Sequence, residues 1–128
     1  MNKFKLGLDI HGCVDVVPEV FSKLSKIIID SGNEVIIITG KHIKDGVIEE
    51  LEECGICYTN IFSIADFHKE RGTEIKYDAK GTPWIGEDLW NKTKAEYCKE
   101  NGIDLHIDDS DVYHNFFTTP YARIIINK

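Results

Sequence analysis

Phe4-Lys5-Leu6-Gly7-Leu8-Asp9-Ile10-His11-Gly12 is the stretch that decides the fold of this 128-residue chain. An apolar run ends in a carboxylate, and after two further residues a glycine turns the chain. Residues 4–10 read as a buried strand with Asp9 near its carboxyl end, which is where open parallel sheets keep their ligand sites. Downstream, Val20, Phe21, Leu24, Ile27 and Ile28 recur at helical spacing, with Pro18 near the start and Gly32 just past the end. Glu34-Val-Ile-Ile-Ile-Thr39 is β-branched almost throughout, as a central parallel strand requires. Ile43, Val47, Leu51 and Cys54 mark a second helix closed by Gly55, and a third strand follows at 57–62.

This βαβαβ series demands right-handed crossovers and a doubly wound, Rossmann-like sheet. A short helical turn is expected over Phe67–Arg71. Thr73–Tyr77 and Thr82–Ile85 flank Asp78-Ala79-Lys80-Gly81 as a small β-hairpin. A helix over 88–101 stops at Gly102, and Leu105–Ile107 and Ala122–Ile126 complete the strands. The expected architecture is an α/β three-layer sandwich: a mainly parallel five-stranded sheet, order 3-2-1-4-5, plus the hairpin. It is expected as a single domain over 1–128.

Lys and Arg number 15 against 22 Asp and Glu, a net charge of −7 that disfavours nucleic acid duplexes and anionic membranes as partners. No apolar run approaches the roughly 20 residues of a membrane span, and Met1-Asn2-Lys3 does not read as a signal peptide, so a cytoplasmic protein is expected. Glu49-Glu50-Leu51-Glu52-Glu53 reads as a solvated helix face. Cys54 and Cys57 have redox-motif spacing but sit at the wrong end of a helix to stabilise a thiolate, so all four cysteines read as core.

Three later segments match the first in character. Thr39-Gly40 ends the second strand at the same sheet edge as Asp9. Trp90, Lys94, Tyr97 and Cys98 fall at i, i+4, i+7 and i+8, which puts Lys94 on a buried stripe where it needs an anionic partner. Lys92 points outward and can pair with Glu96. Asp108 and Asp109 close the fourth sheet strand, and adjacent carboxylates there repel unless a cation sits beside them. With Asp9 they form an oxygen-rich set suited to Mg²⁺.

Taken in order from residue 4 to about 110, these segments resemble the four motifs of the haloacid dehalogenase-like superfamily, mostly phosphoryl-transfer enzymes. The resemblance implies Asp9 as nucleophile, Thr39 as a hydroxyl on the phosphoryl group and Lys94 as its counter-charge. It implies a Mg²⁺ site built from Asp9, Asp108, Asp109 and the main-chain carbonyl of His11, with Asp111 as an outer helper. His11 replaces the family's second aspartate, which protonates the leaving group and then activates water. Histidine is competent for that work. The expected activity is hydrolysis of small phosphorylated metabolites or nucleotides. Phosphotransfer, or binding of phosphorylated ligands without turnover, is the alternative the substitution opens.

The spans between motifs leave no room for a cap domain, so an open site can take a large substrate or be closed by a second copy of the chain. Gly40, Lys41 and His42 lie near enough to read a phosphate, and Tyr77, Lys80 and Trp84 on the hairpin are candidates for substrate contact. His106, Asp108, Asp109, Asp111 and His114 form a rival cluster for a different metal.

Overall fold

Leu6 and Leu8 vanish into the interior because β1 (Lys5–Leu8) is clasped on both sides, by β2 (Glu34–Thr39) and by β6 (Leu105–Asp108). The computed structural model describes residues 3–111 and 115–126. β3 (Asn60–Ser63) extends the sheet beyond β2, and β7 (Tyr121–Arg123) beyond β6. The order is β3-β2-β1-β6-β7, every pair parallel. Counting sheet strands alone, this is the expected 3-2-1-4-5. The chain winds outward from β1 to β3, then returns across the sheet to β6. That reversal opens a crevice at the carboxyl ends of β1 and β6.

Helices cover both faces: α1 (Pro18–Asp30) and α2 (Val47–Cys54) on one, α3 (Ile64–Glu70) and α4 (Glu87–Glu100) on the other. Alternation along β2 shows why. Val35 and Ile37 pack with Phe21, Val47 and Leu51, whereas Ile36 and Ile38 pack with Cys98 and Ile103. Each such side chain contributes about 1.5–3 kcal/mol by leaving water. The result is the three-layer, Rossmann-like α/β sandwich. β4 (Lys76–Tyr77) and β5 (Pro83–Trp84) form the antiparallel hairpin between α3 and α4. No helix among the described residues is long and apolar enough to cross a membrane.

Three local departures have plain causes. β1 stops at Leu8 rather than continuing to Ile10: Asp9 still donates its N–H to Ile107 O (3.1 Å), but Ile10–Val14 then makes a non-helical turn, with His11 in extended backbone (φ −77°, ψ 125°), closed by the Asp15 N–H on Ile10 O (3.1 Å). Gly12, at φ +80°, permits that turn, and the Asp15 carboxylate accepts the Gly12 N–H (2.8 Å). α2 begins at Val47 because the Ile43–Gly46 stretch is a turn closed by Gly46 at φ +93°. α3 is a full helix from Ile64, longer than the expected turn, because the Ser63 hydroxyl caps it by accepting the Asp66 N–H.

Candidate active site

At the crevice floor, three ionisable side chains lie buried together. Lys94 is 1 % exposed, held on the inner face of α4, and its ammonium donates to Asp108 Oδ2 (2.8 Å) and Asp9 Oδ1 (3.5 Å). Lys92 stays outside, paired with Glu96 (3.8 Å). A buried lysine is tolerable only with such partners. Asp108 has no further capacity to spare: Oδ2 also accepts from His106 Nε2 (2.9 Å), while Oδ1 accepts from the N–H groups of Asp109 (2.9 Å) and Ser110 (3.2 Å).

The two carboxylates titrate in opposite directions, and the distances say why. Burial pushes Asp9 up to about 7; Lys94 draws it back, and the charges of Asp108 and Asp109 push it up again. Burial also acts on Asp108, but the His106 hydrogen bond and the closer Lys94 outweigh it and hold that group well below the usual carboxylate range. Asp109 is raised by burial, by its Asp108 hydrogen bond and by the Asp108 charge. Carboxylate oxygens of Asp9, Asp108 and Asp109 all lie within 4.8 Å of one another, the one group among the described residues that can gather on a metal ion. Gly12 makes this possible, since a Cβ there would overlap the Asp109 carboxylate.

Above this floor opens a cavity of about 810 Å³, lined by Asp9, Asp109, Lys94, His11, Gly40 and Lys41 among others. Gly40 lies beneath the Trp90 ring, so close that a Cβ would collide with it. Thr39 is fully buried and absent from the lining; its hydroxyl accepts the Lys41 N–H (3.3 Å). His11 and Lys41 meet the same carboxylate from two sides. His11 Nε2 lies 2.8 Å from Glu50 Oε2, and Lys41 Nζ donates to Glu50 Oε1 (2.6 Å).

Glu50 therefore corrects the reading of residues 49–53 as a purely solvated face. Burial raises Glu50, but the hydrogen bonds and charges of Lys41 and His11 leave it below its ordinary value. A signal was present: Glu50 lies three residues after Val47 and four before Cys54, on the flank of the α2 apolar stripe rather than opposite it. Asp45, another cavity residue, lies in the loop before α2, where no periodicity marks it.

Tyr77 and Trp84 are not brought into the acidic cavity. They line a separate cleft of about 380 Å³ on the hairpin, and the part of the hairpin that reaches the acidic cavity is its turn, Lys80–Pro83. The reason is anchoring. Tyr77 OH meets His42 Nε2 (2.9 Å), His42 Nδ1 donates to Asp66 Oδ1 (2.6 Å), and Trp84 packs on Trp90 with ring centres 5.4 Å apart. His42 is thereby buried as a strut away from the cavity lining.

Among the described residues the rival metal cluster does not assemble. His106 spends Nε2 on Asp108, and burial lowers its proton affinity. Asp111 is exposed and outside the cavity lining, and His114 lies outside the described residues. All four cysteines are free thiols; Cys13 and Cys98 are buried, Cys54 and Cys57 partly so.

No protein-family model and no curated protein matches the chain by sequence. Among solved structures, a glycosyltransferase from Rickettsia africae ESF-5 is similar over 94% of this chain, with a TM-score of 0.53 and 14% identity. This chain spans 29% of that protein's length. At that identity the likeness speaks for the backbone arrangement alone: the chain is an α/β protein of Rossmann-like fold, with an acidic, lysine-bridged crevice at its switch point.

Proposed function

We propose that this protein is a Mg²⁺-dependent phosphomonoester hydrolase of small phosphorylated metabolites or nucleotides, using Asp9 as a covalent nucleophile. One observation carries the reading: a fully buried lysine bridging two carboxylates at the floor of an open cavity, with a third carboxylate alongside. The order of the four segments, resembling that of the haloacid dehalogenase-like superfamily, supports it further.

The donor set fits a hard divalent cation. Asp108 has both oxygens engaged by four donors, so Asp9 and Asp109 are the carboxylates with lone pairs to offer. When bound, Mg²⁺ would neutralise phosphoryl oxygen charge and favour the ionised form of Asp9. Lys94 supplies a second, permanent counter-charge.

In the first half-reaction an Asp9 oxygen bonds to phosphorus while the ester P–O bond breaks. The departing oxygen takes a proton from the His11 imidazolium. In the second, a water oxygen bonds to phosphorus, the bond to Asp9 breaks, and His11 takes the water's proton. Free phosphate leaves, and Asp9 and His11 return to their starting states.

A second reading has its own observation: one imidazole nitrogen of His11 is already engaged by Glu50. Should the other fail to activate water, the site would transfer its phosphoryl group to another acceptor, or hold phosphorylated ligands without turnover. The test is phosphate release from a panel of phosphomonoesters and nucleotides, with Mg²⁺ and with EDTA, against Asp9→Asn as blank. Mg²⁺-dependent release that disappears in the variant supports the hydrolase. Full turnover by Asp9→Asn removes the mechanism, and no release by the parent protein moves the assignment to the second reading.

A further inference from the structure

The side chain at position 11 reaches the cavity from the turn after β1, yet what holds it comes from another element, α2. Glu50 projects between the two loops that shape the cavity rim and uses both carboxylate oxygens, one on His11 and one on Lys41 (2.8 and 2.6 Å). Both partners line the cavity, whereas Glu50 does not. Burial opposes its ionisation, yet the hydrogen bonds from Lys41 and His11 hold its carboxyl below the ordinary glutamate value. An ionised carboxylate only accepts hydrogen bonds, so the nitrogen facing it, Nε2, must carry the proton.

We infer that Glu50 is a positioning residue for His11: it fixes the imidazole as the Nε2–H tautomer and leaves Nδ1 as the nitrogen that serves the cavity. The inference deepens the hydrolase reading and rests on it for its kinetic consequence. Throughout the cycle the Nε2 proton stays on the ring, donated to Glu50. Only Nδ1 exchanges a proton, giving it to the leaving oxygen and receiving one from water. Orienting partners of this kind typically contribute about 10–100-fold when the oriented histidine does chemistry.

The same carboxylate ties down Lys41. An ammonium on a flexible stem is thereby held at the mouth, and it is a binding group rather than an acid, so its loss should act on KM. Glu50 thus couples two functions that the chain keeps on separate loops: proton transfer through His11 and anion attraction through Lys41.

The test uses the full chain and two readouts. Glu50→Gln preserves shape on a partly exposed helix, but an amide can donate as well as accept, so it no longer dictates the tautomer. In phosphate release with Mg²⁺, Glu50→Gln is expected to lower kcat by roughly 10–100-fold with a KM change under about threefold, because the amide oxygen can still accept from Lys41 Nζ. In the His11→Ala background the same substitution should lower kcat by less than about twofold. Equal losses in both backgrounds would overturn the inference, because they would mean that Glu50 acts without His11. The second readout needs no activity: ¹⁵N NMR of the His11 ring at a pH where it is neutral. The parent protein should show Nε2 protonated, and Glu50→Gln a mixture of tautomers. A parent ring protonated on Nδ1, or a tautomer that Glu50→Gln leaves unchanged, would also overturn it. If no phosphoester is hydrolysed but the NMR result holds, the hydrolase reading fails while the Glu50–His11 arrangement stands.

Discussion

The floor and the rim of the cavity solve the same problem, charged groups held close together, in opposite ways. On the floor, Lys94, Asp108 and His106 are removed from water, and Asp108 is saturated by four donors. At the rim, His11, Glu50 and Lys41 keep about a third to half of their side-chain surface in water. Buried ions gain little net stability from pairing but lose heavily when one partner is removed. Exposed ions contribute little to stability either way. The floor should therefore be rigid and intolerant of change, and the rim should tune activity without endangering the fold.

The sharpest way to break that comparison is to remove a charge from the floor. Lys94→Met leaves Asp9 and Asp108 facing each other without their shared cation, and a loss of about 3–5 kcal/mol is expected in urea unfolding near neutral pH. A loss below 1 kcal/mol, by the same reasoning, would show that water already reaches the floor. Asp9→Asn should do the reverse for stability. It removes one of three acids that share a single lysine, so unfolding at pH 8 in EDTA should become harder by about 1–3 kcal/mol. Turnover should fall at least about 10³-fold. Opposite signs for stability and activity would mark Asp9 as a group whose ionised form strains the apo fold.

The acid–base balance of the floor predicts a pH profile. Asp9 holds its proton up to about 7 in the folded state, above its ordinary 3.8, so its stabilising contribution is full below the ordinary value and is lost as pH rises toward 7. Asp108, held below its ordinary value, contributes above that value and loses its share as pH falls. In EDTA, Tm should therefore decline between pH 5 and 8 by roughly 5 °C. Mg²⁺ should restore it at pH 8 by mass action, and Asp9→Asn should flatten the curve. A parent curve already flat in EDTA would contradict the assignment.

At the rim, His11→Ala should slow phosphate release by roughly 10²–10⁴-fold while shifting unfolding by less than about 0.5 kcal/mol. A rate loss below twofold would leave the imidazole as filler in the turn. The smallest effect on activity is expected at the hairpin anchor. Tyr77→Phe removes one hydroxyl from the His42 strut and should cost about 0.5–1.5 kcal/mol. Because the Lys80–Pro83 turn then lies less firmly over the cavity, KM should rise a few-fold with kcat little changed; steady-state kinetics decides.

How much of this could be read from residues alone varies by region. The strand order and the gathering of Asp9, Lys94, Asp108 and Asp109 at one end of the sheet follow from local pattern plus the handedness of crossovers. The choice of Lys94 over Lys92 was legible because a helix has one inner face. The ends of β1 and α2 were less so, since Gly12 and Gly46 act through a backbone angle that hydrophobic spacing does not encode. Tyr77 and Trp84 have the composition of contact residues, but their direction is set by His42 and Trp90, 35 residues before and 6 residues after them respectively.

By itself, then, the sequence determined which side chains arrive at the crevice, because periodicity and crossover handedness act along the chain and need no knowledge of distant neighbours. Only the tertiary structure decided what those side chains do to one another. Proton affinities depend on distances of an ångström or less between groups as remote in sequence as Asp9 and Lys94, and partners such as Glu50 for His11 are chosen by packing across elements. Electrostatics falls off with distance in space, and separation along the chain does not measure it.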